Sequence, residues 1–215
     1  MSTEAITARN RAAMDAVMRA HEAARKTQTL LDAGHDPSNG NQYAAPKLLA
    51  LPSTVREIEL PDAVQIIGYE PKGGKNQEPL VGPTLLVVPV YIDGVLSTCE
   101  MIDGKGRKSF LAGGDTRGGY WPTAPLPDCD WIGDLHLLLG EGMATVLSAS
   151  MATDCIGVAA MSCGNLLAVA KMLRVRYPDA RITLLADLGI GEKKCAEAAR
   201  AVDGYVATPH FGDQQ

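Results

Sequence analysis

The second half of the chain predicts an α/β fold built on a mostly parallel sheet, and three observations predict it. Short apolar runs, DLHLLLG, IGVAAM, RITLLAD and GYVAT, recur after about Asp134. Helical stretches of similar length, GMATVLSASMAT, GNLLAVAKMLRVRY and EKKCAEAARAV, lie between them. Strands alternating with such helices imply right-handed β-α-β crossovers. The runs are also apolar at nearly every position, as expected when both faces of a sheet are covered.

The elements before this region follow different rules. Residues 3–33 read as one helix, with Met14, Val17, His21, Ala24 and Leu31 giving an apolar stripe and Gly34 a stop. Its cations, Arg9, Arg11, Arg19, Arg25 and Lys26, read as a solvated face rather than a nucleic-acid contact. Residues 35–52 form a polar loop, and 53–75 carry no legible chemistry. TLLVVPVYI is a β-branched strand, Asp93-Gly94 a hairpin turn and VLSTCEMI the return strand. Asp103-Gly104 marks a second turn before RKSFLA, and 113–130, dense in Gly and Pro, reads as loop and boundary. The expected organisation is an N-terminal helix over 1–40, a β-rich α+β segment over 41–130 and the α/β domain over 131–215.

Bulk properties narrow the function classes. A net charge of -5 argues against a protein whose main task is clamping nucleic acid without specificity. Five cysteines without a C-x-x-C pair argue against a zinc ribbon or disulfide framework and suit a reducing compartment. No run suits a bilayer span or a signal peptide, so a soluble cytoplasmic protein is expected.

In parallel sheets ligands sit beyond the carboxyl ends of the strands. Here those ends carry Glu141-Gly142, Ser162-Cys163-Gly164-Asn165 and Asp187-Leu188-Gly189. Two carboxylates, Glu141 and Asp187, are thus expected on one rim. Carboxylate oxygens suit Mg²⁺, which is commonly held through one or two of them plus phosphate and water. Read as residues alone, the same two acids serve equally well as caps on the following helices. GIGEKK fits neither the P-loop nor the dinucleotide fingerprint, having Lys194 where the third glycine belongs. The four histidines show no metal-ligand spacing, and Cys163 reads as a buried small hydrophobe.

The stretch LHLLLGEGMATVLSASMATDCIGVAAMSCGNLLAVAKMLRVRYPDARITLLAD resembles the Toprim domain of phage, plasmid and bacterial DNA primases. That family has a strand ending in Glu-Gly with a Thr three residues on, a Gly-Asn-Leu turn, and a strand ending in Asp-x-Asp. The segment VVPVYIDGVLSTCEMIDGKGRKSFLAGGDTRGGYW is similar to the β-rich piece preceding Toprim in these primases. Together the resemblance covers about 84–211. It implies a Toprim-like, mostly parallel four-stranded sheet with flanking helices. It makes Glu141 the catalytic glutamate, Asp187 the first metal-binding aspartate, Asn165 the turn asparagine that with Gly142 serves cofactor binding, and Lys108 a phosphate-facing basic residue. It implies a Mg- or Mn-dependent nucleotidyl transferase acting on a single-stranded DNA template and nucleotides, with a helicase or other replication protein as partner.

The sequence departs from the family at Gly189, where the second aspartate stands. Glu192 is the candidate to replace it as a metal ligand, ahead of Asp154 and Asp115. No zinc module, helicase segment or P-loop is present in the sequence. The alternative expectation is therefore a catalytically weakened Toprim domain that binds nucleic acid or protein.

Overall fold

The computed structural model describes residues 3–128, 133–186 and 190–208. The fold is mixed α/β, and the chain divides into two compact units. One comprises Met1–Leu48 with Val55–Thr116, the other Leu49–Thr54 with Arg117–Gln215. No helix among the described residues is long and apolar enough to cross a membrane.

The first unit contains α1 (Thr3–Ala33), β1 (Arg56–Glu59), α2 (Leu60–Ile67) and a small ribbon of β2 (Lys72–Gly73) and β3 (Glu78–Pro79). Then come β4 (Thr84–Ile92), β5 (Val95–Ile102) and β6 (Lys108–Phe110). The sheet order β1-β4-β5-β6 is antiparallel throughout. The Asp-Gly signal holds: Ile92 pairs with Val95 across a two-residue turn in which Asp93 and Gly94 have φ of 50° and 81°. Positive φ at both positions is what a type I′ hairpin requires. Both β1 and α2 fall in the stretch that carries no legible chemistry. Pro61 opens α2 and Gly68, at φ 84°, closes it.

Helix α1 has the expected length but buries a different face. Met14 and Val17 are 66% and 51% exposed, while Ala23, Thr27 and Leu30 are buried. Ala23 and Thr27 are small enough for this helix to lie against β5, and Leu30 anchors the same face in the core. The core beneath it includes Leu30, Ile58, Ile67, Leu85, Val87, Cys99 and Met101.

Buried carboxylates organise the loops of this unit. Glu57 accepts from Ser38 N (2.8 Å), Asn41 Nδ2 (2.9 Å) and Thr84 Oγ1 (2.6 Å). Asp103 opens the turn between β5 and β6. It accepts from Val81 N (3.1 Å), Lys105 N (3.0 Å), Arg107 N (2.9 Å) and Arg107 Nε (2.8 Å). Each hub satisfies backbone donors that no strand partner reaches.

The second unit contains β7 (Trp121–Pro122), β8 (His136–Gly140), α3 (Met143–Thr153), β9 (Ile156–Ala159), α4 (Leu166–Arg176), β10 (Arg181–Leu185), α5 (Ile190–Ala201) and β11 (Tyr205–Ala207). The strand order is β11-β10-β8-β9-β7. Four of these strands are mutually parallel, with Leu138 paired to Thr183 on one side and Gly157 on the other. The sheet is nonetheless five-stranded and mixed, because β7 adds antiparallel to β9. The sequence expectation of four strands misses β7 because Trp121–Pro122 lies in a Gly- and Pro-dense stretch. Proline is tolerated there because β7 is an edge strand.

Helix α3 sits close to its sheet because two strands lack side chains beneath it. A Cβ on Gly140 would come within 2.7 Å of Val146 Cγ2, and one on Gly157 would collide with Val146 Cγ1. Val146 itself is fully buried.

Candidate functional site at the carboxyl rim of the parallel sheet

All three helices of the second unit begin at the carboxyl ends of its strands. The chain leaves β8 through α3 toward β9, then crosses back through α4 to β10 and moves outward through α5 to β11. Neighbouring strands β8 and β10 therefore send the chain in opposite directions. With right-handed crossovers their helices lie on opposite faces of the sheet. That makes the gap between β8 and β10 the topological switch point, where open α/β sheets form their ligand crevice.

Glu141 directly follows β8 at this crevice. It is half-buried, and its carboxylate has no hydrogen-bond or ion-pair partner among the described residues. The flanking glycines serve different ends. Gly140 is bare so that Val146 can pack, whereas a Cβ on Gly142 would meet nothing within 4 Å. Gly142 is the N-cap of α3 and supplies no side-chain cap to the first backbone N–H groups of that helix.

Asp187, expected on the other side of the crevice, lies outside the described residues, as does Gly189. Glu192 stands exposed in the first turn of α5. Asp154 is at the other rim, where it ends α3 with φ 56°. Asp115 belongs to the first unit. Among the described residues no three His, Cys, Asp or Glu side chains form a metal cluster. A hard carboxylate without an internal partner still suits a Mg²⁺ ion completed by phosphate and water oxygens.

Asn165 occupies the N-cap position of α4 but does not cap it with its side chain. Its Nδ2 donates to the Ala160 carbonyl (3.1 Å), and its Oδ1 accepts the Gly118 N–H (3.1 Å). The side chain thus ties the loop leaving β9 to the segment leading into β7. In the loop leaving β9, Met161, buried, is held at φ 63°. A left-handed conformation at a side-chain-bearing residue is sparsely populated and is maintained here by its surroundings. Cys163 is half-buried rather than buried, because it lies in the turn before α4 and not beneath it.

Lys108 belongs to β6 of the first unit, and its ammonium lies 3.2 Å from Glu100 Oε2. The lysine side chain is 37% exposed and the glutamate 5%. Burial pushes the Glu100 carboxyl above its ordinary range, with Lys108 opposing the shift. Burial likewise raises the Tyr43 phenol beside them, again against Lys108. The expected phosphate-facing lysine is therefore already engaged by a buried acid. The signal for Glu100 is present in VLSTCEMI, where one acid interrupts an otherwise uncharged strand.

The chain is similar to proteins named DNA primase TraC from Escherichia coli. One is 32% identical over 143 residues, covering 58% of this chain and 12% of that protein. Another is 28% identical over 135 residues, covering 58% of this chain and 9% of that protein. The chain thus spans only a small part of the length of either curated relative. No family model matches the sequence, and no solved structure matches it.

Proposed function

We propose that this chain carries the Toprim nucleotidyl transferase core of a plasmid-type DNA primase. In this reading 131–215 is the Toprim domain, 41–130 the β-rich segment that precedes it and 1–40 a docking helix for a helicase or another replication protein. The observation that carries the reading is the placement of Glu141, partnerless among the described residues, at the switch point between β8 and β10. The similarity to proteins named DNA primase TraC supports it.

Glu141 takes the proton from an attacking hydroxyl or, with Asp187 and Glu192, holds Mg²⁺ or Mn²⁺. A bound cation would neutralise charge on the nucleotide phosphates. Gly142 leaves the N-terminus of α3 open to a phosphate, where N–H groups and the helix dipole favour negative charge. Asn165 keeps the turn beside the crevice in one conformation. Lys108 steadies a template or nucleotide phosphate, sharing its charge with Glu100. Template and nucleotides are single-stranded DNA and nucleoside triphosphates, handled in the cytoplasm.

Primer synthesis on single-stranded DNA with labelled nucleotides and Mg²⁺ or Mn²⁺ tests the assignment. Glu141→Gln is expected to lower product formation by about a hundredfold or more, the range of a lost general base. Undiminished product in that variant would remove Glu141 from the chemistry.

A second reading is favoured by Gly189, which stands where the family has its second aspartate. The domain would then bind nucleic acid or protein without efficient transfer. No product from the wild type, with Gly189→Asp restoring none, would select this reading.

A further inference from the structure

The opposite rim of the same sheet holds a cleft of about 650 Å³, formed where α4 and α5 end and β10 and β11 begin. Arg174, Arg181, Arg200 and Tyr205 line it, together with Asp179 and Asp203. Helix C-termini present carbonyls that repel anions. Arg174 offsets them by donating to the Val202 (2.9 Å), Pro178 (2.6 Å) and Ala180 (2.8 Å) carbonyls. Its role is structural, and it leaves the other two arginines to face outward.

Arg181 and Arg200 are exposed. Although two aspartates line the same cleft, neither arginine forms an ion pair among the described residues. Among the described residues Arg200 bonds within its own helix, Nε to the Ala196 carbonyl at 3.2 Å. The Arg181 guanidinium lies over one side of the Tyr205 ring, 5.3 Å from its centre, which leaves the other side for a base. Tyr205 is 59% exposed, on the edge strand β11. An exposed aromatic face beside guanidinium groups without carboxylate partners matches the two needs of a nucleotide unit: a surface for the base and forks for the phosphate.

We propose that this cleft is a second nucleic-acid site, distinct from the carboxyl rim, which takes a single strand by stacking a base on Tyr205 and pairing phosphates with Arg181 and Arg200. The chemistry is shared with a free nucleotide. It requires neither a metal ion nor Glu141, so it stands apart from the transferase reading.

Anisotropy of a short fluorescein-labelled oligothymidylate, titrated with the full chain in EDTA, tests the site, with ATP as competitor. The Arg181→Ala/Arg200→Ala variant is expected to bind at least about tenfold more weakly. Its salt dependence should be shallower by about 1.4 in log-log slope, about 0.7 for each phosphate left without its arginine. Tyr205→Ala should lose about fivefold, the low end of base stacking, and Tyr205→Phe should bind like wild type. Lys171→Ala, which removes an exposed cation of α4 outside the cleft, should bind like wild type, so that a loss in the double arginine variant reports the cleft and not net charge. If only ATP binding weakens in the cleft variants, the site holds and its ligand is the free nucleotide. If the double arginine variant and Tyr205→Ala bind both probes as wild type does, or wild type binds neither, the proposal is wrong.

Discussion

Glu57, Glu100 and Asp103 are all buried in the first unit, in or beside its antiparallel sheet. In the second unit the parallel strands bury only apolar side chains, Thr123 being the one buried polar residue among the described positions there. The difference follows from how each unit satisfies its backbone. Parallel strands and their crossover helices pair most N–H and C=O groups internally. A short meander with long connections leaves turn donors that only an acceptor side chain can reach. The first unit therefore commits three of its acids to structure, while among the described residues the second buries none.

The largest test of that contrast is Asp103→Ala. Four donors would lose their acceptor at once, so a loss of about 3 kcal/mol is expected by urea unfolding. Burial alone would raise the Asp103 carboxyl, but the Val81 and Arg107 hydrogen bonds and the Arg107 charge outweigh it and hold it below the ordinary 3.8. Its stabilisation is present above that pH and is lost as pH falls through the lowered value. A loss no greater than that of an exposed aspartate would end the view of Asp103 as a hub.

The apolar unit should fail by packing instead. Gly157→Ala is expected to cost about 2 kcal/mol, because Val146 is β-branched and stiff within α3. Gly142→Ala, with open space around it, provides the calibration. Equal melting temperatures for the two variants would contradict the close packing of α3 on the sheet.

Glu100→Gln gives the smallest and most diagnostic effect. Its carboxyl is raised, so its contribution is fully present below the ordinary 4.5 and is lost as pH rises through the folded value. The variant should therefore gain on wild type as pH increases, by on the order of 1 kcal/mol, with Lys108 able to find water. Melting curves at several pH values read this directly. A difference that shrinks with rising pH would mean that the pair with Lys108 outweighs the cost of burial.

The same contrast explains what is legible in the sequence. The four parallel strands and three helices of the second unit follow from apolar runs and their spacing, and the Asp93-Gly94 hairpin from its turn chemistry. The edge strand β7 is hidden because two residues carry no periodicity. The buried face of α1 escapes the stripe rule because Ala23 and Thr27, suited to close approach, do not look like a stripe. At the rim, Glu141 is legible from its position after a strand. The Lys108–Glu100 pair is not, since the two residues meet through the register of β5 and β6 rather than through sequence spacing.

The second unit includes Leu49–Thr54, six residues embedded in the sequence of the first, where the Ala50 N–H lies 3.4 Å from Met151 Sδ. The chain therefore passes between the units three times, and no single cut yields both intact. A fragment beginning at Arg117 would lack one strip of its own surface, and one ending at Thr116 would carry that strip with nothing of its own unit to rest on. Dissecting the two units for separate assay thus calls for circular permutation or a grafted segment rather than truncation.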